Sequence, residues 1–254
     1  MKESLNPYNI YVISAGRYAN LPFTDKQKEE YIFCVKTGEK DLYHQNGCKT
    51  VLETGKLIPS RNAAIDHAQK NNKLCIQISD DIKKVIPNKN FLEIKDTELQ
   101  EVIDYNLSVM ERFKATLIGI PPTSNSYFAK SLYTFNTFII GDFFIVKPTD
   151  IRFDDNLTLK EDYDFTLQHI SRGAKVVRTS KYLIDYAHYK NKGGAVSYRN
   201  KTEELKNIEY LLNKWGNDII HLNPKRNLEI LLNTRGLFKK SWKCIEIVEK
   251  RLLF

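Results

Sequence analysis

Residues 74–81 read LCIQISDD, an apolar run that ends in two adjacent carboxylates. The length and apolar character of the run indicate a buried strand over Leu74–Ile78. In an open α/β sheet, ligands bind beyond the carboxyl ends of the strands. Ser79, Asp80 and Asp81 are therefore expected at a binding site.

Strand and helix patterns alternate around this run. Apolar strands are predicted at Ile10–Ile13 and Tyr31–Val35, and a helix with Ser60 as its N-cap ends near Asn71. This order predicts an α/β fold whose sheet is mixed but mostly parallel and is flanked by helices.

The remaining body of the chain continues this alternation. After residue 200 the pattern becomes helical and rich in Lys and Leu, with helices predicted around Leu205–Leu212, Leu228–Leu232 and Trp242–Leu252. We therefore expect a catalytic domain over residues 1–200 and a basic helical extension over 201–254 that packs on it. The body's later predicted elements are helices at Thr97–Phe113 and Glu161–Ile170 and strands at Thr116–Ile120, Tyr133–Ile140, Phe143–Val146, Lys175–Arg178 and Tyr182–Tyr186.

Composition limits the class of protein. The 254 residues, 42% of them apolar, suffice for one large domain with a small appendage. The net charge of 39 − 31 = +8 favours polyanionic partners, although a Lys-rich solvated surface explains it equally well. The four cysteines form no CxxC pair, which argues against a zinc site or a disulfide framework. No apolar leader and no run of about 18 apolar residues occurs, so a soluble cytoplasmic protein is expected.

Two motifs in the first third carry polar chemistry. Asp80 and Asp81 repel each other when ionised, and a divalent cation such as Mg²⁺ or Mn²⁺ would relieve that repulsion. Arg61, in the IPSRN stretch at 58–62, falls in the first turn of a helix, where a cation opposes the helix dipole. That placement indicates a nearby anion. Taken alone, each motif also has a simpler interpretation, as a strand-to-turn acid pair and as an exposed arginine.

Two later motifs complete the set. The stretch LKEDYDF at 159–165 places acids early in a helix, where the dipole favours them and where one of them could act as a general base. The stretch HYKNKGG at 188–194 offers His188 to a metal, and Gly193 and Gly194 allow backbone amides to approach phosphate, with Lys190 or Lys192 to neutralise it. The simpler interpretation is a flexible basic loop.

The order and spacing of these four motifs are similar to those of the TET-associated glycosyltransferases, a GT-A family found in phages and beside DNA-base hydroxylases. The resemblance spans residues 8–200. It implies a GT-A-like, Rossmann-type fold and a metal-dependent, inverting transfer of a sugar, expected to be glucose from a UDP-sugar, to a hydroxymethylated pyrimidine in DNA. A phage-encoded chain would act in the host cytoplasm. One departure is Ser79, which stands where the DxD motif begins with an aspartate.

The resemblance also assigns roles to individual residues. Asp81 and His188, with a share for Asp80, would bind Mn²⁺ or Mg²⁺, and Asp162 with Glu161 would be catalytic. Contacts to the nucleotide-sugar would come from Ser14, Arg17, Arg61, Asn62, Asp80, Lys192, Gly193 and Gly194. Expected contacts to DNA come from the basic residues of 190–199 and from Lys225, Arg226, Arg235, Lys239, Lys240 and Lys243. Trp215 and Trp242 could stack on bases, although the helical apolar pattern around Trp242 favours a position in the core.

Other functions remain open at this point. A transferase of the same fold could act on a glycan or lipid-linked acceptor, with basic helices at an anionic membrane. A non-catalytic nucleic-acid-binding protein would explain the charge without using the acid pair. A nucleotidyltransferase or two-metal nuclease also uses paired aspartates.

Overall fold

The computed structural model describes residues 7–93, 97–186, 199–226, 228–235 and 237. Within these residues, eight strands form a central sheet in the order β3-β2-β1-β4-β8-β6-β9-β7, and two further pairs of strands lie outside it. The strands are β1 (Tyr8–Ser14), β2 (Ile32–Val35), β3 (Thr50–Glu53), β4 (Leu74–Ser79), β5 (Ile82–Pro87), β6 (Leu117–Gly119), β7 (Tyr133–Phe135), β8 (Phe143–Val146), β9 (Val176–Thr179), β10 (Tyr182–Tyr186), β11 (Ile220–Leu222) and β12 (Ile230–Leu232). The α-helices are α1 (Asp25–Glu30), α2 (Lys40–Gln45), α3 (Leu57–Lys70), α4 (Leu99–Phe113), α5 (Glu161–Ser171) and α6 (Lys201–Trp215).

The sheet has the α/β topology that the sequence predicts. Parallel pairs join β1 to β2 and β4, β2 to β3, and β6 to β9, whereas β8 runs antiparallel between β4 and β6. Strand order reverses at β1, because the chain first builds outward through β2 and β3 and then returns to place β4 on the other side. Such a reversal opens a crevice at the carboxyl ends of the two flanking strands.

Helices cover both faces of the sheet, which explains the continuous apolar runs in its central strands. On one face, Val102 and Ile103 of α4 pack with Val12 and Ile76. On the other face, α3 packs on the residues that alternate with these, among them Cys75. Cys34, Cys48 and Cys75 are buried free thiols.

The start of α3 differs from the prediction. The helix begins at Leu57, so Pro59 occupies its first turn, where a missing N–H breaks no helical hydrogen bond. Ser60 is not the N-cap. It is buried, and its hydroxyl lies 2.7 Å from the Thr54 hydroxyl, which ties the helix to the end of β3.

The segment after residue 200 also differs in part. The first predicted helix is α6, but the helix predicted around Leu228–Leu232 is wrong, because β12 pairs antiparallel with β11 there. Ile230 is buried while Leu231 is exposed, an alternation that suits a strand. The third predicted helix lies outside the described residues.

The described part of this segment packs on the body. Leu157 and Leu167 share an apolar cluster with Ile208 and Leu211 of α6 and with Ile230. A domain boundary at residue 200 stays a prediction. No helix within the described ranges is long and apolar enough to cross a membrane.

Candidate active site

A cavity of about 990 Å³ opens at the carboxyl ends of β1 and β4. The topology places it there, since this is where strand order reverses. Its walls come from residues 13–17, 78–81, 140–142, 159–163 and 199–201. Three of the four predicted motifs therefore contribute to one cavity. The fourth, with His188, Lys192, Gly193 and Gly194, lies outside the described residues.

The two aspartates at the end of β4, Asp80 and Asp81, line this cavity and form ion pairs with the guanidinium of Arg17. Nη1 of Arg17 contacts Oδ1 of both Asp80 and Asp81. The Ser14 hydroxyl donates to Asp80 Oδ2, and its oxygen lies 2.5 Å from the Tyr43 hydroxyl. Burial raises the pKa of Asp80 to about 6 even though the charge of Arg17 opposes the rise. Tyr43 belongs to α2, which the sequence did not predict.

The geometry of this pair suits a divalent cation. Two carboxylate oxygens that meet one nitrogen atom are also directed at one point, and Mg²⁺ in proteins commonly takes one or two carboxylates, with water and phosphate as its other ligands. Among the described residues, no group of three or more His, Cys, Asp or Glu side chains forms a complete ligand set. The described residues therefore fit an ion held jointly by the acid pair and by a diphosphate.

Arg61 lies in the wall of the cavity as half of a buried ion pair. Its Nε donates to Glu161 Oε1 at 3.0 Å, and its Nη1 donates to the Gly141 carbonyl at 2.9 Å. The ring of Phe153 lies 5.3 Å from the guanidinium carbon. Arg61 is 6% exposed, so its first role is to neutralise Glu161 and to hold the Gly141 bend against α3. A donor contact by Arg61 stays a prediction.

Asn62 has a scaffold role in the described structure, and its predicted donor contact stays a prediction. Its side-chain amide exchanges two hydrogen bonds with the backbone of Phe153, at 2.9 and 2.8 Å. It does not line the cavity. The amide instead fixes the segment that precedes α5.

Asp162 lies beside Glu161 in the wall of the cavity. It accepts from the backbone N–H groups of Gly141 and Tyr163, each at 3.0 Å. Burial, together with the nearby charge of Glu161, raises the pKa of Asp162 to about 7. Glu161 forms an ion pair with Arg61, whereas Asp162 accepts from backbone N–H groups, so the two neighbouring acids have different environments. The ring of Tyr163 stacks on Phe138 beside Asp162, with centroids 4.1 Å apart.

The first turn of α6 closes one side of the cavity. Lys160 pairs with Glu204 at 2.6 Å, and Arg199 approaches the same carboxylate at 3.5 Å. Lys160 adopts a left-handed backbone conformation, with φ of 60°, directly before α5. This ion pair could not be predicted from the sequence, because it depends on the packing of α6.

Among the residues predicted to contact DNA, Trp215 is packed within the protein, whereas three basic residues are exposed. The indole N–H of Trp215 donates to the buried Asp164 carboxylate at 2.8 Å, and the ring packs in an apolar cluster. Trp215 therefore contributes to packing, and its predicted stacking on bases stays a prediction. Lys225, Arg226 and Arg235 are exposed. Lys239, Lys240, Lys243 and Trp242 lie outside the described residues.

Comparison with known proteins gives two positive findings. A family model for the TET-associated glycosyltransferases matches residues 8–194. Among solved structures, A197 from STIV is similar at 12% identity, with 89% of this chain and 93% of that chain covered and a TM-score of 0.42. Curated proteins give no match.

Proposed function

The chain belongs to the TET-associated glycosyltransferase family and is a glycosyltransferase, and we propose that it moves glucose from UDP-glucose to a hydroxymethylated pyrimidine base in DNA, with inversion. The observation that carries the proposal is the pairing of two unlike acid sites in one cavity. One is the Asp80–Asp81 pair, which is directed at a single cationic point, and the other is Asp162, with its pKa near 7. Family membership favours this chemistry over a nuclease or a non-catalytic binding protein.

The acid pair is the donor end of the proposed site. A divalent ion bound there would supply charge neutralisation to the departing nucleoside diphosphate. Asp80 and Asp81 would hold it, and the hydrogen bond from Ser14 keeps Asp80 in place. Lys36 and Lys56 also line the cavity and add positive charge toward a diphosphate.

Asp162 is the acceptor end. Its carboxylate takes the proton of the acceptor hydroxymethyl group as that oxygen bonds to the anomeric carbon of the sugar. The bond from the anomeric carbon to the diphosphate breaks in the same step, and its electron pair leaves with the diphosphate. A single displacement of this kind inverts the anomeric centre. Glu161 remains paired with Arg61 and supports the proton affinity of Asp162 through its charge.

A DNA base inside a duplex cannot reach Asp162, because the reacting hydroxyl is attached to a stacked base. The nucleotide therefore has to leave the stack, as other enzymes that act on bases require. The Phe138–Tyr163 ring pair lines the cavity beside Asp162 and offers an aromatic surface to such a base.

The test is transfer from UDP-glucose to a duplex containing 5-hydroxymethylcytosine, with Mn²⁺ present. Mass analysis of the digested nucleosides should show the gain of one hexose, and NMR should show the inverted anomer. Asp81→Ala should abolish both transfer and donor hydrolysis. Asp162→Asn should lower transfer by about 10²-fold or more while UDP-glucose still raises the melting temperature.

Asp25→Asn is the matched control, because Asp25 is a fully exposed acid on α1. It should leave transfer unchanged. Wild-type activity in Asp81→Ala would contradict the metal assignment. A hexose gained by a glycan or a lipid-linked acceptor, and not by DNA, would contradict the acceptor.

A further inference from the structure

Two large aromatic rings lie exposed on the loop between β6 and β7. Tyr127 is 66% and Phe128 71% exposed, and their ring centroids are 5.1 Å apart in an edge-to-face pair. Contiguous exposed apolar surface of this kind often marks an interaction site on a protein. The two rings belong to neither the cavity nor the core.

The backbone under these rings is fixed by side-chain hydrogen bonds. The buried Asn88 donates to the Ala129 carbonyl at 2.9 Å, and Asn90 donates to the Ser126 carbonyl at 2.7 Å. Asn125 caps the turn by accepting from the Tyr127 N–H at 2.9 Å. The rings are therefore presented in a preformed arrangement, which lowers the entropy lost when a partner binds.

Two lysines lie close to the ring pair. Lys130 Nζ lies 4.5 Å from the centroid of the Tyr127 ring, and the exposed Lys89 lies between the two supporting asparagines. No Asp or Glu occurs in residues 82–92 or 115–141. Aromatic rings combined with lysines, without acids, are the composition of surfaces that hold nucleic-acid strands.

The loop lies at the same edge of the sheet as the cavity. β6 runs parallel to β4, since both are antiparallel to β8, and Pro122 beyond the end of β6 lines the cavity. The loop returns to the sheet where Ser180, just after β9, donates to the Leu132 carbonyl at 3.0 Å. In the order β4-β8-β6-β9, that point is three strands from the acid pair. At about 4.8 Å per strand the separation is roughly 14 Å, about four nucleotide steps of 3.4 Å.

We propose that Tyr127, Phe128, Lys130 and Lys89 form a DNA-binding surface that holds the duplex beside the nucleotide being glycosylated. The rings would stack on bases that unpair within a few nucleotide steps of the extruded nucleotide, and the lysines would contact the phosphates there. The inference rests on the proposed function, because that function makes DNA the acceptor.

The experiment measures binding of a fluorescein-labelled duplex with one 5-hydroxymethylcytosine by anisotropy, together with kinetics of transfer. The Tyr127→Ala/Phe128→Ala double variant should bind at least about tenfold more weakly and show a correspondingly higher KM for DNA. Its hydrolysis of UDP-glucose without DNA should be unchanged. Phe135→Ala is the matched control, because this ring is also exposed, at 52%, but belongs to β7 and packs on Phe113 of α4.

Salt dependence tests the lysines. Lys130→Ala should reduce the slope of log Kd against log salt by about 0.9, the value for one lost phosphate contact. Lys26 is also exposed and pairs with Glu30 on α1, so Lys26→Ala should leave the slope unchanged.

The outcomes separate this surface from the proposed function. Wild-type DNA affinity and KM in the double variant would overturn the surface while leaving transfer to DNA intact. DNA binding that depends on the rings, without sugar transfer to DNA, would support the surface and contradict the proposed function. Loss of binding to anionic vesicles, with DNA binding unaffected, would assign the surface to a membrane and overturn it as a DNA site.

Discussion

Replacing Gly141 with alanine probes the buried Arg61–Glu161 pair without removing either charge. An added Cβ would lie 2.5 Å from Arg61 Nη2 and 3.1 Å from Cζ. Ordinary contact begins at 3.4 Å, so the guanidinium has to retreat by 3.4 − 2.5 = 0.9 Å. The same guanidinium donates to Glu161 at 3.0 Å and to the Gly141 carbonyl at 2.9 Å. A shift of that size takes at least one of these bonds outside hydrogen-bonding range.

The expected loss of stability follows from these contacts. Overpacking of a filled site costs about 1–3 kcal/mol. A lost hydrogen bond to a charged group costs about 1.5–3 kcal/mol. We expect Gly141→Ala to lower the free energy of unfolding by about 3 kcal/mol, with an unchanged urea m-value. Urea denaturation followed by circular dichroism measures both quantities.

A double-mutant cycle shows whether Arg61 is the cause. In an Arg61→Met/Glu161→Leu background both buried charges and the clash are removed, so Gly141→Ala should cost less than about 1 kcal/mol. An equal cost in the two backgrounds would refute the reasoning. So would a cost below about 1 kcal/mol in the otherwise native chain.

Three further predictions concern the walls of the cavity. The rate of transfer should increase as pH rises through about 7, because Asp162 acts in its deprotonated form, and Glu161→Gln should lower the midpoint of this pH profile by removing a like charge. A flat profile between about pH 5.5 and 8 would contradict a role of Asp162 as the base. Arg17→Met should destabilise the metal-free protein, and Mn²⁺ should raise its melting temperature more than that of the native chain, because the ion no longer competes with the guanidinium. Equal rises in melting temperature would show that the ion and the guanidinium do not share a position. Trp215→Phe should lower the free energy of unfolding by about 1.5–3 kcal/mol, because the hydrogen bond to Asp164 is lost, and should leave DNA affinity unchanged. Weaker DNA binding by this variant would support stacking of Trp215 on bases.

The sequence predicted the central sheet well because its strands and helices have strong patterns. Leu74–Ile78, Phe143–Val146 and Tyr182–Tyr186 were recognised as strands, since their apolar or β-branched runs leave few alternatives. Thr50–Glu53 was missed, because a four-residue edge strand with one buried side chain has almost no pattern. Leu228–Leu232 was misjudged, since a short apolar run fits both a helix and a strand, and pairing with β11 decides between them.

In the candidate site, too, some features could be predicted from the sequence and others could not. That Asp80, Asp81 and Asp162 line one cavity agrees with the rule that ligands bind at the carboxyl ends of parallel strands. The partners of Arg61 could not be predicted, because Glu161 is 100 residues away and the Gly141 bend is 80 residues away. The position of Arg17 across both aspartates also depends on tertiary structure, since nothing in the loop after β1 specifies the direction of its side chain.

The Arg61–Glu161 pair also bears on how the chain reaches its folded state. Residues 8–79 supply four adjacent parallel strands and the helix that carries Arg61, so this part could assemble early during synthesis. Its arginine would then be packed against the sheet without the carboxylate that neutralises it, and an unpaired buried charge is costly. We therefore expect that the amino-terminal strands do not fold stably until α5 has been synthesised and has packed against them. Folding should then occur in one cooperative transition that spans both halves of the sheet, and a fragment ending before residue 161 should not persist as an independent unit.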